Sequence, residues 1–175
     1  MNIIETEIPD VKIIEIDFYP DERGYFCESY QERRYHSNGI SAKFVQDNQS
    51  FSIKNVIRGL HFQQRHPQGK LISVVVGEIF DVAVDIRKKS PTYGKWVGVT
   101  LSDQNHRQLL VPEGFAHGFC VMSNYAIAQY KCTDFFDPED NGGIIWNDPD
   151  IGIDWPIKSP IVSPRDKQLA TFKKT

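Results

Sequence analysis

"KLISVVVGEIFDVAVDI", Lys70 to Ile86, decides the fold. A run rich in Val and Ile leads into Gly77-Glu78, and a second apolar run follows. The stretch reads as two strands around a turn. In the second run Phe80, Val82, Val84 and Ile86 alternate with Ile79, Asp81, Ala83 and Asp85. A period of two is that of a strand, with one greasy face and one face carrying two acids. Those acids either stand behind a site residue or face water.

The same punctuation extends both ways. Upstream lie "VKIIEIDF" (11–18), a bend at "PDERG" (20–24), and "ESYQERRYHSNGI" (28–40), the best helix, stopped by Asn38-Gly39. "KFVQDNQSFS" is extended. Downstream, "KWVGVTLS" is a strand, "RQLLVPEGFAHGFCVM" is two strands about Pro-Glu-Gly, and "AIAQYKCTDFF" (126–136) is another strand. On that last strand Ala126, Ala128, Tyr130 and Cys132 share a face, which leaves space inside a barrel. An irregular tail starts near residue 145, with a short helical turn at "SPRDKQL". About ten short strands and little helix predict an all-β jelly roll, a double-stranded β-helix of the cupin type with short peripheral helices. Residues 1–175 read as one such domain.

Composition excludes several function classes. Hydrophobic residues are 40% of 175, enough for a core and too many for a disordered chain. The net charge of −3, with basic side chains scattered, gives no nucleic-acid footprint. Three cysteines, Cys27, Cys120 and Cys132, fit no zinc or disulfide framework. No stretch approaches the ~20 apolar residues of a membrane helix, and "MNIIETEIPD" carries acids where a signal peptide would be apolar. The expectation is a cytoplasmic protein with reduced thiols.

"NVIRGLHFQQ" (55–64) is an apolar strand with polar residues it would not need for packing alone. Arg58 and His61 are three positions apart, so strict alternation sends them to opposite faces. Gly59 between them invites a β-bulge that would slip the phase and turn both inward. A solvated edge strand is the plainer alternative. Lys70, His117 in "PEGFAHGF", Tyr130 and Asp166 lie elsewhere along the chain. A base, a cation and a phenol are what proton abstraction beside a carbonyl needs, with an aspartate to hold the imidazole tautomer. "PEGFAH" also matches half of the cupin metal pattern, but the other half reads His61-Phe62-Gln63 and lacks a second histidine. A metal-dependent cupin dioxygenase and a non-catalytic sugar or nucleotide binder stay as alternatives.

These segments resemble the dTDP-4-dehydrorhamnose 3,5-epimerase family, metal-free cupins of deoxysugar biosynthesis. The resemblance runs almost end to end, through "DERGYFCESY", "FVQDNQSFS", "NVIRGLHFQ", Gly69–Trp96, "LLVPEGFAHGF", "YKCTDFF", "IIWNDPDIGIDWP" and "SPRDKQL". It implies epimerisation of dTDP-4-keto-6-deoxy-D-glucose at C3 and C5 through enolates, with a C3-only epimerase as a narrower variant and a ketoisomerase, moving the carbonyl between C3 and C4, as a further one. It implies His61 as base paired with Asp166, Tyr130 as acid, and Lys70 on the enolate with His117 nearby. Arg23, Phe26, Glu28, Gln46, Asp47 and Asn48 would serve the nucleotide, and Arg58 the diphosphate. A homodimer exchanging N-terminal elements is implied, and no metal or other cofactor. The chain departs from the family's pattern at substrate-binding positions: Asn141 where Glu is usual, Arg165 where Lys is usual, and Phe135-Phe136 where one is usually Tyr.

Overall fold

The structure, a computed structural model, describes residues 1–174. Among them run fourteen strands: β1 (Asn2–Glu5), β2 (Lys12–Glu15), β3 (Phe18–Asp21), β4 (Gly24–Cys27), β5 (Gln46–Ile53), β6 (Val56–Gln63), β7 (Lys70–Val76), β8 (Glu78–Asp85), β9 (Trp96–Ser102), β10 (Arg107–Val111), β11 (Phe115–Val121), β12 (Tyr125–Cys132), β13 (Asn141–Gly143) and β14 (Ile161–Val162). One sheet is ordered β1-β2-β10-β7-β12-β5. The second is ordered β13-β6-β11-β8-β9, with β14 also on β6, and β3-β4 form a separate hairpin. Pairing is antiparallel except at β14, which runs parallel to β6. This is the all-β jelly roll that the apolar runs predict.

The core lies between the sheets. Ile72, Val74, Leu109 and Val111 of the first meet Ile79, Ala83, Val99 and Phe119 of the second. Behind the second sheet the C-terminal tail packs Ile151, Trp155 and Val162 on Val82, Val84 and Cys120. β8 is therefore buried on both faces. Its greasy face meets the tail, and its acidic face looks inward, so Asp81 and Asp85 are fully buried rather than solvated. Asp85 accepts hydrogen bonds from Arg87, Ser90 and Thr92 and shapes the loop after β8.

The helix α1 (Glu32–Ser37) is shorter than the sequence suggests. Gln31 caps it by accepting the Arg34 N–H, and Asn38 with Gly39 at φ +83° ends it. Ser29 stays outside because its carbonyl accepts from Tyr35 Oη and from Gln108 Nε2. Tyr35 and Ile40 cover Ile14 and Leu71 on the outer face of the first sheet. "VKIIEIDF" breaks after Glu15, and Phe18 opens the projecting hairpin. Among the described residues no helix is long and apolar enough to cross a membrane.

Candidate active site

β6 carries one residue more than its partner. Arg58 pairs with Phe119 and His61 with His117, three steps against two. The extra residue sits at Gly59, whose φ is +119°, and the Gly59–Leu60 peptide is cis. A Cβ on Gly59 would come 2.6 Å from Gly118 Cα. The bulge predicted from Gly59 is present, and it turns Arg58 and His61 to the same side. Arg58 Nε donates to Ser52 Oγ at 2.9 Å, and Ser52 lies on the buried face of β5.

His61 Nε2 lies 2.8 Å from Asp166 Oδ1. The Gly59 N–H donates to Oδ2 of the same carboxylate at 3.3 Å, and the Asp166 N–H donates to Ser163 Oγ. Burial pushes the Asp166 carboxyl up. The bonds from His61 and Gly59, with the charges of His61 and Arg165, outweigh this and hold it below the usual carboxylate value. Asp166 is therefore an acceptor, so His61 carries its proton on Nε2 and leaves Nδ1 with the free lone pair. Opposite His61, His117 Nε2 lies 2.9 Å from Asp81 Oδ1. Asp81 Oδ2 is buried with no hydrogen-bond partner.

Lys70, at the start of β7, is buried, and among the described residues no carboxylate comes within ion-pair distance of it. Burial lowers its pKa, against the opposing pull of Cys132 and Asp81. Cys132 faces it across the β7–β12 pair. Tyr130, two residues earlier on β12, has its pKa raised by burial and by Cys132, with Arg58 opposing. It stays a protonated phenol at neutral pH.

His61, Lys70 and Tyr130 line one cavity of about 280 Å³, with Gln46, Asn48, Phe136, Asn141 and Arg165 also on its wall. Arg58 and His117 lie off that wall. Asp47 alternates to the outer face of β5, where Lys131 pairs with it at 2.9 Å. It borders a second depression of about 330 Å³ that also touches Asn48 and Tyr130. Arg23 pairs with Asp21 on the hairpin, and Phe26 beside it is 70% exposed. Glu28 Oε1 lies 3.3 Å from Arg34 Nε. None of these three lines the His61 cavity. A larger cleft of about 970 Å³, bordered by Glu5, Glu7 and Lys95, holds none of the groups above. Among the described residues no three His, Cys, Asp or Glu side chains are grouped to hold a metal ion.

Two structural residues have little or no sequence signal. Gln63 donates to the carbonyls of His66 and Phe135 and accepts the Asp137 N–H. Asp140 accepts the N–H groups of Gln64, Arg65 and His66. Together they fasten the 134–141 segment, and so Phe136 and Asn141, to the end of β6. A polar Gln at the end of an apolar strand hints at the first. Nothing in the sequence marks the second.

The chain is similar to characterised proteins over nearly its whole length. The family described as dTDP-4-dehydrorhamnose 3,5-epimerase matches residues 5–174. The dTDP-4-dehydrorhamnose 3,5-epimerase of Methanothermobacter thermautotrophicus is 54% identical, over 94% of this chain and 90% of that protein. The crystal structure of the dTDP-6-deoxy-D-glucose-3,5-epimerase of Legionella pneumophila, in complex with dTDP-4-keto-L-rhamnose, superimposes with a TM-score of 0.96 at 53% identity, covering 98% of this chain and 93% of that one. The Bacillus anthracis dTDP-4-dehydrorhamnose 3,5-epimerase, with TDP and PPi bound, gives 0.94 at 46% identity, covering 97% and 98%.

Proposed function

The chain belongs to the dTDP-4-dehydrorhamnose 3,5-epimerase family, and on that premise we propose that the His61 cavity is where it works. The protein is an isomerase that inverts C3 and C5 of dTDP-4-keto-6-deoxy-D-glucose to give dTDP-4-keto-L-rhamnose. Both carbons flank the C4 ketone, so one enolate chemistry serves both.

The observation that carries the assignment is that His61, Lys70 and Tyr130 share one wall-bounded space. His61 Nδ1 takes the proton from the carbon. The electron pair moves to the C4 oxygen, where the Lys70 ammonium stabilises it without competition from a paired carboxylate. The Tyr130 phenol then returns a proton to the opposite face. Acid–base help of this kind is worth roughly 10²–10⁴ in rate.

At about 280 Å³ the cavity sits at the lower edge of ligand pockets, roughly 300–1,000 Å³. That suits the sugar ring and puts the nucleotide outside. Gln46 and Asn48 stand where the two would join. A homodimer supplies the rest: Arg23, Phe26 and Glu28 project on or beside the hairpin, away from their own cavity, and serve the partner's. The outer face of the first sheet bears exposed Phe51, Ile53 and Tyr125, an apolar patch suited to self-association. A cytoplasmic location fits the three free cysteines.

Incubation with dTDP-4-keto-6-deoxy-D-glucose in D₂O, read by NMR, tests the assignment. Deuterium enters at both C3 and C5 in the native protein and at neither in His61→Ala. Label that persists in His61→Ala removes His61 from the role of base.

A further inference from the structure

Arg165 stands on the cavity wall, with its guanidinium over the bond that joins His61 to Asp166. Its Nη1 lies 3.4 Å from His61 Nε2 and 3.8 Å from Asp166 Oδ1, and its Nη2 donates to the Asn141 carbonyl at 2.7 Å. Its side chain makes no cap for the turn that follows. His61 Nε2 already gives its hydrogen to Asp166, so Arg165 cannot donate to that nitrogen. It faces the carboxylate that the imidazole uses. Its other arm rests on β13, which pairs with β6 so that Gly143 faces His61 and Asn141 faces Gln63. The planar fork thus ties the base, the carboxylate and the neighbouring strand together.

Two inversions on one sugar make a demand on such a group. In the first, the carbon's proton moves to His61 Nδ1 and the phenol's proton moves to the opposite face. The pair is left as imidazolium and tyrosinate. Before the same pair can invert the second carbon, His61 must lose its proton to solvent and Tyr130 must regain one. We propose that Arg165 is a positioning residue that resets this pair: by sharing Asp166 Oδ1 at the open side of the cavity, it keeps the carboxylate from trapping the imidazolium. The proposal rests on His61 being the base. It gives Arg165 a task in the ordering of the two inversions rather than in holding the substrate.

The test is a time course of product composition, with kcat and KM, for Arg165→Gln and Arg165→Lys beside His61→Ala. The glutamine variant is expected to lower kcat about tenfold, to keep KM within about threefold, and to release more sugar inverted at one carbon only. The lysine variant keeps the cation and is expected to restore the native product ratio, which also separates loss of charge from loss of fold. A tenfold rise in KM with kcat and product ratio intact would make Arg165 a substrate ligand and overturn the proposal. So would a glutamine variant with all three readings unchanged. Deuterium exchange that survives His61→Ala overturns the underlying assignment of the base. Silence in His61→Ala with a native product ratio in Arg165→Gln overturns the role of Arg165 alone.

Discussion

His61 and His117 stand directly opposite each other on β6 and β11, each within 2.9 Å of a carboxylate from a different element. Asp166 reaches His61 from the C-terminal turn, and Asp81 reaches His117 from β8. Opposed positions on antiparallel strands place the Cβ atoms about 5 Å apart, so two imidazole–carboxylate pairs sit side by side. Only the first lies on the cavity wall. The second is buried, and the charge of its Asp81 acts on the buried Lys70.

Removing the carboxylate of the first pair is expected to cost nearly as much as removing the base. Asp166→Asn loses the acceptor that fixes the Nε2–H tautomer, and kcat falls on the order of 10³-fold or more. His61→Ala falls by roughly 10²–10⁴. Circular dichroism of both variants remains native, because neither side chain belongs to the apolar core.

Tyr130→Phe separates abstraction from inversion. His61 can still remove and return a proton on its own face, so NMR in D₂O is expected to show label entering without inversion. In the native protein the raised pKa of Tyr130 places the loss of its proton above the ordinary value of about 10. The first alkaline fall of kcat therefore belongs to the Lys70 ammonium, whose pKa burial lowers, and it is expected to persist in Tyr130→Phe. An alkaline limb that disappears in Lys70→Met and stays in Tyr130→Phe checks this order.

Lys70→Met is expected to lose turnover and gain stability. The folded-state pKa of Lys70 lies below its unfolded value. Between the folded value and the unfolded value of about 10.4 the unfolded chain binds more protons, and at lower pH the buried charge opposes folding in full. Native stability rises with pH through the window between the two values, and this part of the slope disappears in the variant. Urea midpoints at pH 7 are expected to favour Lys70→Met by on the order of 1 kcal/mol.

Asp85→Asn probes the loop after β8. Burial raises that carboxyl, but Arg87, Ser90 and Thr92 overcome this and hold it well below the usual range. The contribution is complete above the unfolded value of about 3.9 and is lost as pH falls through the lower folded value. Urea unfolding is expected to show the variant weaker by roughly 3 kcal/mol at pH 7. The gap narrows below pH 4.

The residues differ in how openly the sequence shows their placement. Alternation sufficed for β12, where Ala126 and Ala128 keep room beside Tyr130. The resemblance grouped Gln46, Asp47 and Asn48 together, and it is the pleat of β5 that sends Asp47 to the other face. Gly59 announced the bulge because only a residue without Cβ tolerates both its φ and its neighbour. The partner of His117 was hidden. Asp81 is 36 residues away, and only the β8–β11 register brings it there. The acids of β8 were ambiguous because a strand covered on both faces has no wet side for its polar residues to mark. The helix was overread because its charges continue past Gln31, while its hydrogen bonding does not.

Gly59 and Gly118 are each other's obstacle. A Cβ on the first meets the Cα of the second at 2.6 Å, and a Cβ on the second meets the Arg58 carbonyl at 2.7 Å. Neither can acquire a side chain while the other keeps its place, so no single substitution offers a way out of this crossing. The backbone that aims His61 is thus closed to stepwise change. Phe136 and Asn141, by contrast, reach the cavity as side chains on a segment that Gln63, Gln46 and Asp140 hold in place. The aim of the base is thus set by a backbone crossing, while Phe136 and Asn141 shape the cavity through their side chains.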